Sequence, residues 1–202
     1  MKAFLFLSTI ALFFNSCADF SSLSGSNQSS SLPNESAQQN PQYTGPVADF
    51  KLTCSEAQFV VLLNLYRQQN GLGTVQVSRA GVQSARWHTQ DMINQNYFSH
   101  TEPSGRSFSS RAASFGYSAW AENIAAGSST AAGTFCQWKN SPGHNTNMLQ
   151  GMHRTIGLGL SYGGTYGAYW ENIFGPDSSD TLSNPLTNDS SCDLNLALPS
   201  CG

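Results

Sequence analysis

Two histidines and one carboxylate stand in the stretch from Tyr97 to His144, each beside aromatic, glycine or proline residues. His100 closes the run Tyr97-Phe98-Ser99-His100. Glu122 lies in Ala121-Glu122-Asn123-Ile124-Ala125, and His144 ends Trp138-Lys139-Asn140-Ser141-Pro142-Gly143-His144. Side chains so far apart, each with its own backbone anchor, read as three loops converging on one cleft. Two imidazoles and a carboxylate are the donor set of a zinc site that keeps a position open for water. Against metal-assisted hydrolysis, the chain has no His-Glu-x-x-His helix. Each residue also has a structural reading. His100 could cap a helix, Glu122 could hold loop N–H groups, and His144 could brace the Pro-Gly turn. Buried His–Glu networks also serve as scaffolding. His88 stands alone, with no partner at metal spacing, and reads as a surface or partly packed histidine.

The elements that must position this cleft are legible on both sides of it. Thr53-Cys54-Ser55-Glu56 matches a capping box. Phe59, Leu62, Leu63 and Tyr66 follow at helical spacing, and Gly71 can stop the helix. A second helix is expected from Ser78 to about Asn96, with Val82, Ala85, Thr89, Met92 and Ile93 as its buried stripe. Gly105 to Gly116 reads as loop and turn. A third helix from about Ser129 carries Phe135, Cys136 and Trp138 inward and ends at Asn140, since Pro142 disfavours helical geometry at Ser141. A helical turn over residues 145–149 follows. The period then changes to two: Ile156, Leu158, Leu160 and Tyr162 alternate with Gly and Ser as in a half-buried strand. Gly163-Gly164 makes a hairpin turn, and Tyr166 to Phe174 the return strand. Helices followed by an antiparallel hairpin suggest an α+β domain.

The ends of the chain speak to its location. Met1-Lys2 and the apolar run Ala3 to Phe14 have the form of a signal peptide, too short to span a bilayer. Phe14-Asn15-Ser16-Cys17 resembles a lipobox, which makes Cys17 the expected lipidated residue; cleavage after Ala18 with plain secretion is the alternative. Residues 18–49 are dominated by Ser, Asn, Gln and Pro, the composition of a disordered linker. Charged residues make up only 10% of the 202, and the net charge is −3. No basic patch for nucleic acid is visible. With Cys17 in the leader, Cys54, Cys136, Cys192 and Cys201 form an even set, as for two disulfides in an exported protein; three connectivities are open. The tail from Gly175 is polar, and Cys192 and Cys201 are placed to close a small loop on each other.

Eight short strings in order carry a resemblance. They are Tyr97-Phe98-Ser99-His100, Arg111 with Gly116-Tyr117, Glu122-Asn123-Ile124, Trp138, Ser141-Pro142-Gly143-His144, Asn147-Met148-Leu149, Ile156-Gly157-Leu158-Gly159, and Tyr169-Trp170 with Phe174-Gly175. This series resembles the CAP superfamily (cysteine-rich secretory, antigen 5 and pathogenesis-related-1 proteins) in its short bacterial branch. The resemblance implies an α-β-α sandwich with a small antiparallel sheet flanked by helices, and the following organisation: signal peptide and lipobox over 1–17, linker over 18–49, CAP domain over 50–176 and a polar, disulfide-bearing tail over 177–202. It also implies a cleft in which His100, Glu122 and His144 hold zinc or another divalent cation, with Ser141 and Asn123 beside them. The family's second acidic residue falls on Ser141, and Ala121 replaces the Gly before Glu122. His153 and Arg154 match no ligand position and are expected at the surface. Helices bearing Cys54 and Cys136 share one layer of the family fold, which suggests Cys54–Cys136 and leaves Cys192–Cys201. The function so implied is an exported or lipid-anchored, non-enzymatic binding module for a lipid, glycan or protein partner. Such a protein would be monomeric and would touch membrane only through its anchor. A metal-dependent hydrolase and a structural surface lipoprotein are the alternatives.

Overall fold

The computed structural model describes residues 50–183 and 186–202; the leader, Cys17 and the linker lie outside the described residues. The first helix, α1 (Cys54–Gln69), starts at the expected capping box: the Thr53 hydroxyl accepts from Glu56 N–H, and the Glu56 carboxylate accepts from Thr53 N–H. It ends before Gly71, whose φ of 73° only glycine adopts without strain. A two-residue strand, β1 (Gln76–Val77), leads into α2 (Arg79–Asn94), which is capped by Ser78.

After the second helix the structure departs from the sequence expectation. The stretch read as loop contains a helix, α3 (Phe108–Ser114), because the Ser107 hydroxyl caps it and Arg111 and Ala112 turn inward. Residues 121–126 form a strand, β2 (Ala121–Ala126), where only Ile124 favoured one. Helices α4 (Ala131–Lys139) and α5 (Pro142–Met148) follow, with proline in the first turn of α5, where its missing N–H costs nothing. The hairpin β3 (Thr155–Gly163) and β4 (Gly167–Gly175) forms as expected, its return strand beginning one residue later than Tyr166.

The four strands order as β1-β3-β4-β2, with β1 parallel to β3 and the other pairs antiparallel. Register decides the two faces. Ile156, Leu158, Leu160, Trp170, Phe174 and Ala125 point to the layer of α1, α4 and α5 and join Phe59, Phe135 and Trp138 in the main core. Gly157, Gly159, Tyr169, Glu171, Ile173, Glu122 and Ile124 point to the opposite layer, α2 and α3. There α2 lies backbone to backbone on β3. A Cβ at Gly157 would come within 2.2 Å of the Gly81 carbonyl carbon, and one at Gly159 within 2.4 Å of that of Ala85. This close seat brings His88, one turn past Ala85, over Glu171, the residue paired with Gly159.

The cysteines pair differently from the expectation. The bonds are Cys54–Cys192 and Cys136–Cys201, not Cys54–Cys136 and Cys192–Cys201. Helices α1 and α4 do share a layer, but the tail runs back across it. Leu182 N–H bonds Val77 O, Leu52 N–H bonds Leu186 O, and Leu186, Leu194, Leu196 and Leu198 pack against the main core. Each tail cysteine therefore meets a helix cysteine, and the segment read as a polar appendage is a strap stapled twice to the domain.

Candidate functional site

The site is built at β2, the strand at one edge of the sheet. An exposed strand edge must satisfy its outward carbonyls. Side chains from α4 and α5 do so here: Trp138 Nε1 donates to Ile124 O, Asn147 Nδ2 to Glu122 O, and Gln137 Nε2 to Ala126 O. Asn147 Nδ2 also donates to Asn123 Oδ1, and Asn123 Nδ2 donates to the His144 carbonyl. Capping the edge thus seats α5, and with it His144, beside Glu122. Asn123 serves as a brace rather than as an open cleft donor. Ser141 is the N-cap residue of α5 without a side-chain cap bond.

His100 reaches the same place from the other side of β2. Its Nδ1 lies 2.5 Å from Glu122 Oε2, while half of its side chain stays exposed. The other oxygen of Glu122 accepts from Arg111 Nη2, which also donates to Glu171 at 3.3 Å. Arg111 Nη1 contacts Glu102 at 3.3 Å, and Glu102 takes Arg106 Nε on both oxygens. His88 completes the buried set, with Nδ1 at 2.8 Å from Glu171 and 3.6 Å from Glu122. A chain of paired groups therefore runs from the sheet's interior to the cleft: His88, Glu171, Arg111, Glu122, His100.

The three expected residues do not come from three loops. His100 does; Glu122 sits on β2 and His144 in the first turn of α5. Glu122 bonds one histidine, not both, and its oxygens are taken by His100 and Arg111. His88, expected at the surface or partly packed, is fully buried and paired, and His153, expected at the surface, is buried too, stacked on Phe174 at 4.6 Å. Arg154 is exposed, as expected. Glu171 and Glu102 escaped sequence reasoning, His88 entered it without its partner, and Arg111 entered it without a role. Period would have found two of them: Gly81, Ala85, His88 and Met92 form one helical stripe, and Glu171 alternates with Tyr169 and Ile173.

Electrostatics follow from this packing. Burial, then the Glu171 charge, pushes Glu122 up to about 10 against the pull of Arg111. Burial also opposes the charge on Glu171, but His88 and Arg111 overcome it and hold that carboxyl below its ordinary range. Arg111 is held above its ordinary range, its two carboxylates outweighing burial. His100 is lowered by burial and by His88, and His144 by burial and by His100. Both cleft rings are therefore neutral at pH 7, the form in which an imidazole binds metal.

Two donor sets can be weighed against a cation. His88, Glu122 and Glu171 bring ligand atoms within 4.8 Å of one another, yet the buried Arg111 guanidinium already sits against both carboxylates and supplies the positive charge. His100 and His144 fit better. Glu122 occupies Nδ1 of His100 and so leaves Nε2 of a half-exposed ring for the cleft. The His144 ring lies near enough to feel the charge of His100. A carboxylate behind a ligand histidine fixes its tautomer and orientation.

Comparison with known proteins accords with this architecture. The model of the cysteine-rich secretory protein family, CAP, matches residues 60–174. An uncharacterized protein of Bacillus subtilis, YkwD, is 33% identical over 141 residues, which is 69% of this chain and 54% of that protein. The B. subtilis membrane protein YlbC is 29% identical over 110 residues, 54% of this chain and 32% of that one. The chain thus spans about half, or a third, of these relatives. Among solved structures, an extracellular protein of Bacillus anthracis containing an SCP domain is 27% identical with a TM-score of 0.53, covering 59% of this chain and 40% of that one. An outer surface protein of Borrelia burgdorferi, 16% identical, shares the fold with a TM-score of 0.55 over 64% of this chain and 98% of its own. The match extends over more than half of the chain and runs through every element of the cleft: the protein belongs to the CAP family.

Proposed function

We propose that this is an exported, non-enzymatic binding module of the cell envelope, and that its cleft takes zinc or a similar divalent cation between His100 and His144. The observation that carries the metal reading is the ring of His100, held on Nδ1 by Glu122 with half of its side chain exposed, close enough to His144 for its charge to be felt there. Glu122 and Arg111 would orient that ring rather than ligate. The metal would supply a Lewis-acid point on which a ligand's oxygen can seat. Export fits the signal-peptide-like leader, the two disulfides, and likeness to an extracellular and an outer-surface protein. Cys17 is the proposed lipid anchor; its replacement by Ser should release the protein into the medium.

One observation favours a second reading. A histidine backed by a carboxylate is also the base-and-orienter pair of a hydrolase. Purified protein incubated with peptides and esters, with and without zinc, separates the two. The binding reading expects no turnover under either condition, and turnover that vanishes in His100→Ala would overturn it.

A further inference from the structure

We propose that the end of the molecule where α2, the Tyr97–His100 segment and the β3–β4 hairpin meet is a stacking platform for a neutral glycan strand. Phe98 is 41% exposed and Tyr166 52% exposed, although both belong to well-packed segments. The rings stand edge to face with centroids 5.9 Å apart, and both rest on Tyr169, which is buried, at 6.3 and 5.7 Å. The backbone beneath them is pinned as well. Thr165 Oγ1 donates to Asn96 Oδ1, tying the hairpin turn to the segment before Phe98. Asn96 itself holds a φ of 53°, the one non-glycine residue at positive φ among those described. Two rings fixed in advance lose little freedom on binding, which is how exposed aromatics become useful contacts.

The surroundings choose the occupant. Segments 90–101 and 161–169, which build this end, contain no Lys or Arg. Their one carboxylate, Asp91, is buried with its oxygens taken by Gln95 and Tyr97. Exposed on these segments are the neutral amides and hydroxyl of Gln90, Asn94, Asn96 and Thr165, with Asn96 and Thr165 bonded to each other, and the half-exposed ring of His100. A nucleic acid strand would need cations here, and a membrane surface would call for basic and aliphatic side chains. A sugar chain needs apolar ring faces for its C–H groups and neutral donors and acceptors for its hydroxyls, and this end offers both. Phe98 lies two residues before His100, so a strand crossing the platform would reach the cleft. The inference names the ligand of the proposed binding module, and rests on that reading, but needs no metal.

Isothermal titration with chitohexaose and cellohexaose, in EDTA, tests it. At least one should bind the wild type. Phe98→Ala and Tyr166→Ala should each weaken binding about tenfold or more. Trp120→Ala, which removes an exposed ring outside the platform, should leave it within about twofold. Circular dichroism of the variants verifies folding. No binding of either sugar at millimolar concentration overturns the inference, as does binding that survives both platform variants. Retention on phosphatidylcholine vesicles that Phe98→Ala abolishes, without sugar binding, would make this end a membrane contact and also overturn it. A zinc-induced rise in melting temperature that persists while sugar binding fails would refute the platform and leave the metal reading standing.

Discussion

The two faces of the sheet are covered by opposite means. Toward α1, α4 and α5 the strands present Trp170, Phe174, Leu158 and Ile156, which close on Phe59, Phe135 and Trp138 with ring centroids of Phe59 and Trp138 5.0 Å apart. Toward α2 and α3 they present Glu122 and Glu171, held by His88 and Arg111, with small apolar clusters on either side. The first face gains from removing apolar surface from water, and depends on filled volume. The second forgoes that gain. Its charges offset their desolvation only while every partner is in place, which makes it a poor source of stability and a good means of fixing one geometry. The ring it fixes is that of His100, at the mouth of the cleft.

Breaking each face should give different signatures. The strap belongs to the apolar face, since both disulfides join it to α1 and α4 across 138 and 65 residues of chain. By loop-closure entropy each bond is worth roughly 4–5 kcal/mol, so Cys54→Ser or Cys136→Ser should produce the largest losses in chemical denaturation. Peptide mapping without reduction should find Cys54 joined to Cys192. Phe59→Ala should cost about 3–5 kcal/mol with little dependence on pH. Arg111→Met should cost a similar roughly 3–5 kcal/mol at neutral pH, because it strands the Glu171 carboxylate without its guanidinium partner. That loss should shrink in acid, as the stranded Glu171 carboxylate takes up a proton, Glu122 already holding its own at neutral pH. An Arg111→Met loss as flat with pH as that of Phe59→Ala would erase the contrast between the faces.

His153 offers a smaller, sharper probe on the apolar face. Its ring is buried against Phe174, and burial, then the Arg67 charge, pushes it down to about 4. A histidine depressed in the folded state is neutral there, so stability is lost as pH falls from the ordinary value near ~6.5 toward the folded one. The loss should reach about 2–3 kcal/mol by pH 4. His153→Phe should remove that part of the acid sensitivity, and denaturation curves at pH 7 and pH 4 would reveal it.

Sequence made α1, α2, α4 and the hairpin legible for local reasons. The capping box at Thr53, the stripe on α2 and the alternation from Ile156 all work through near neighbours. What stayed hidden was set at long range. β2 is a strand because its edge is capped by Trp138, Asn147 and Gln137, not because Ala-Glu-Asn-Ile-Ala-Ala favours extension. The disulfide pairing followed the path of the tail, which leucines spaced through a polar stretch did not announce. His88 and Glu171 find each other only because Gly157 and Gly159 let α2 touch the sheet.

The central claim is that the charged face serves the cleft by presenting His100 to a metal with His144. The direct measurement is the zinc-induced change in melting temperature for the wild type, His100→Ala, His144→Ala and His153→Ala at pH 7.5 and pH 5. Zinc at a hundredfold excess over its Kd should add about 2.7 kcal/mol to wild-type stability at pH 7.5. Metal binding requires neutral rings, and both cleft rings lie below their ordinary range, so the increment should survive to below pH ~6.5 and be much smaller at pH 5. It should vanish in both cleft variants and persist in His153→Ala, whatever that variant does to the starting temperature. An increment that survives His100→Ala and His144→Ala, or no increment at either pH, would contradict the account.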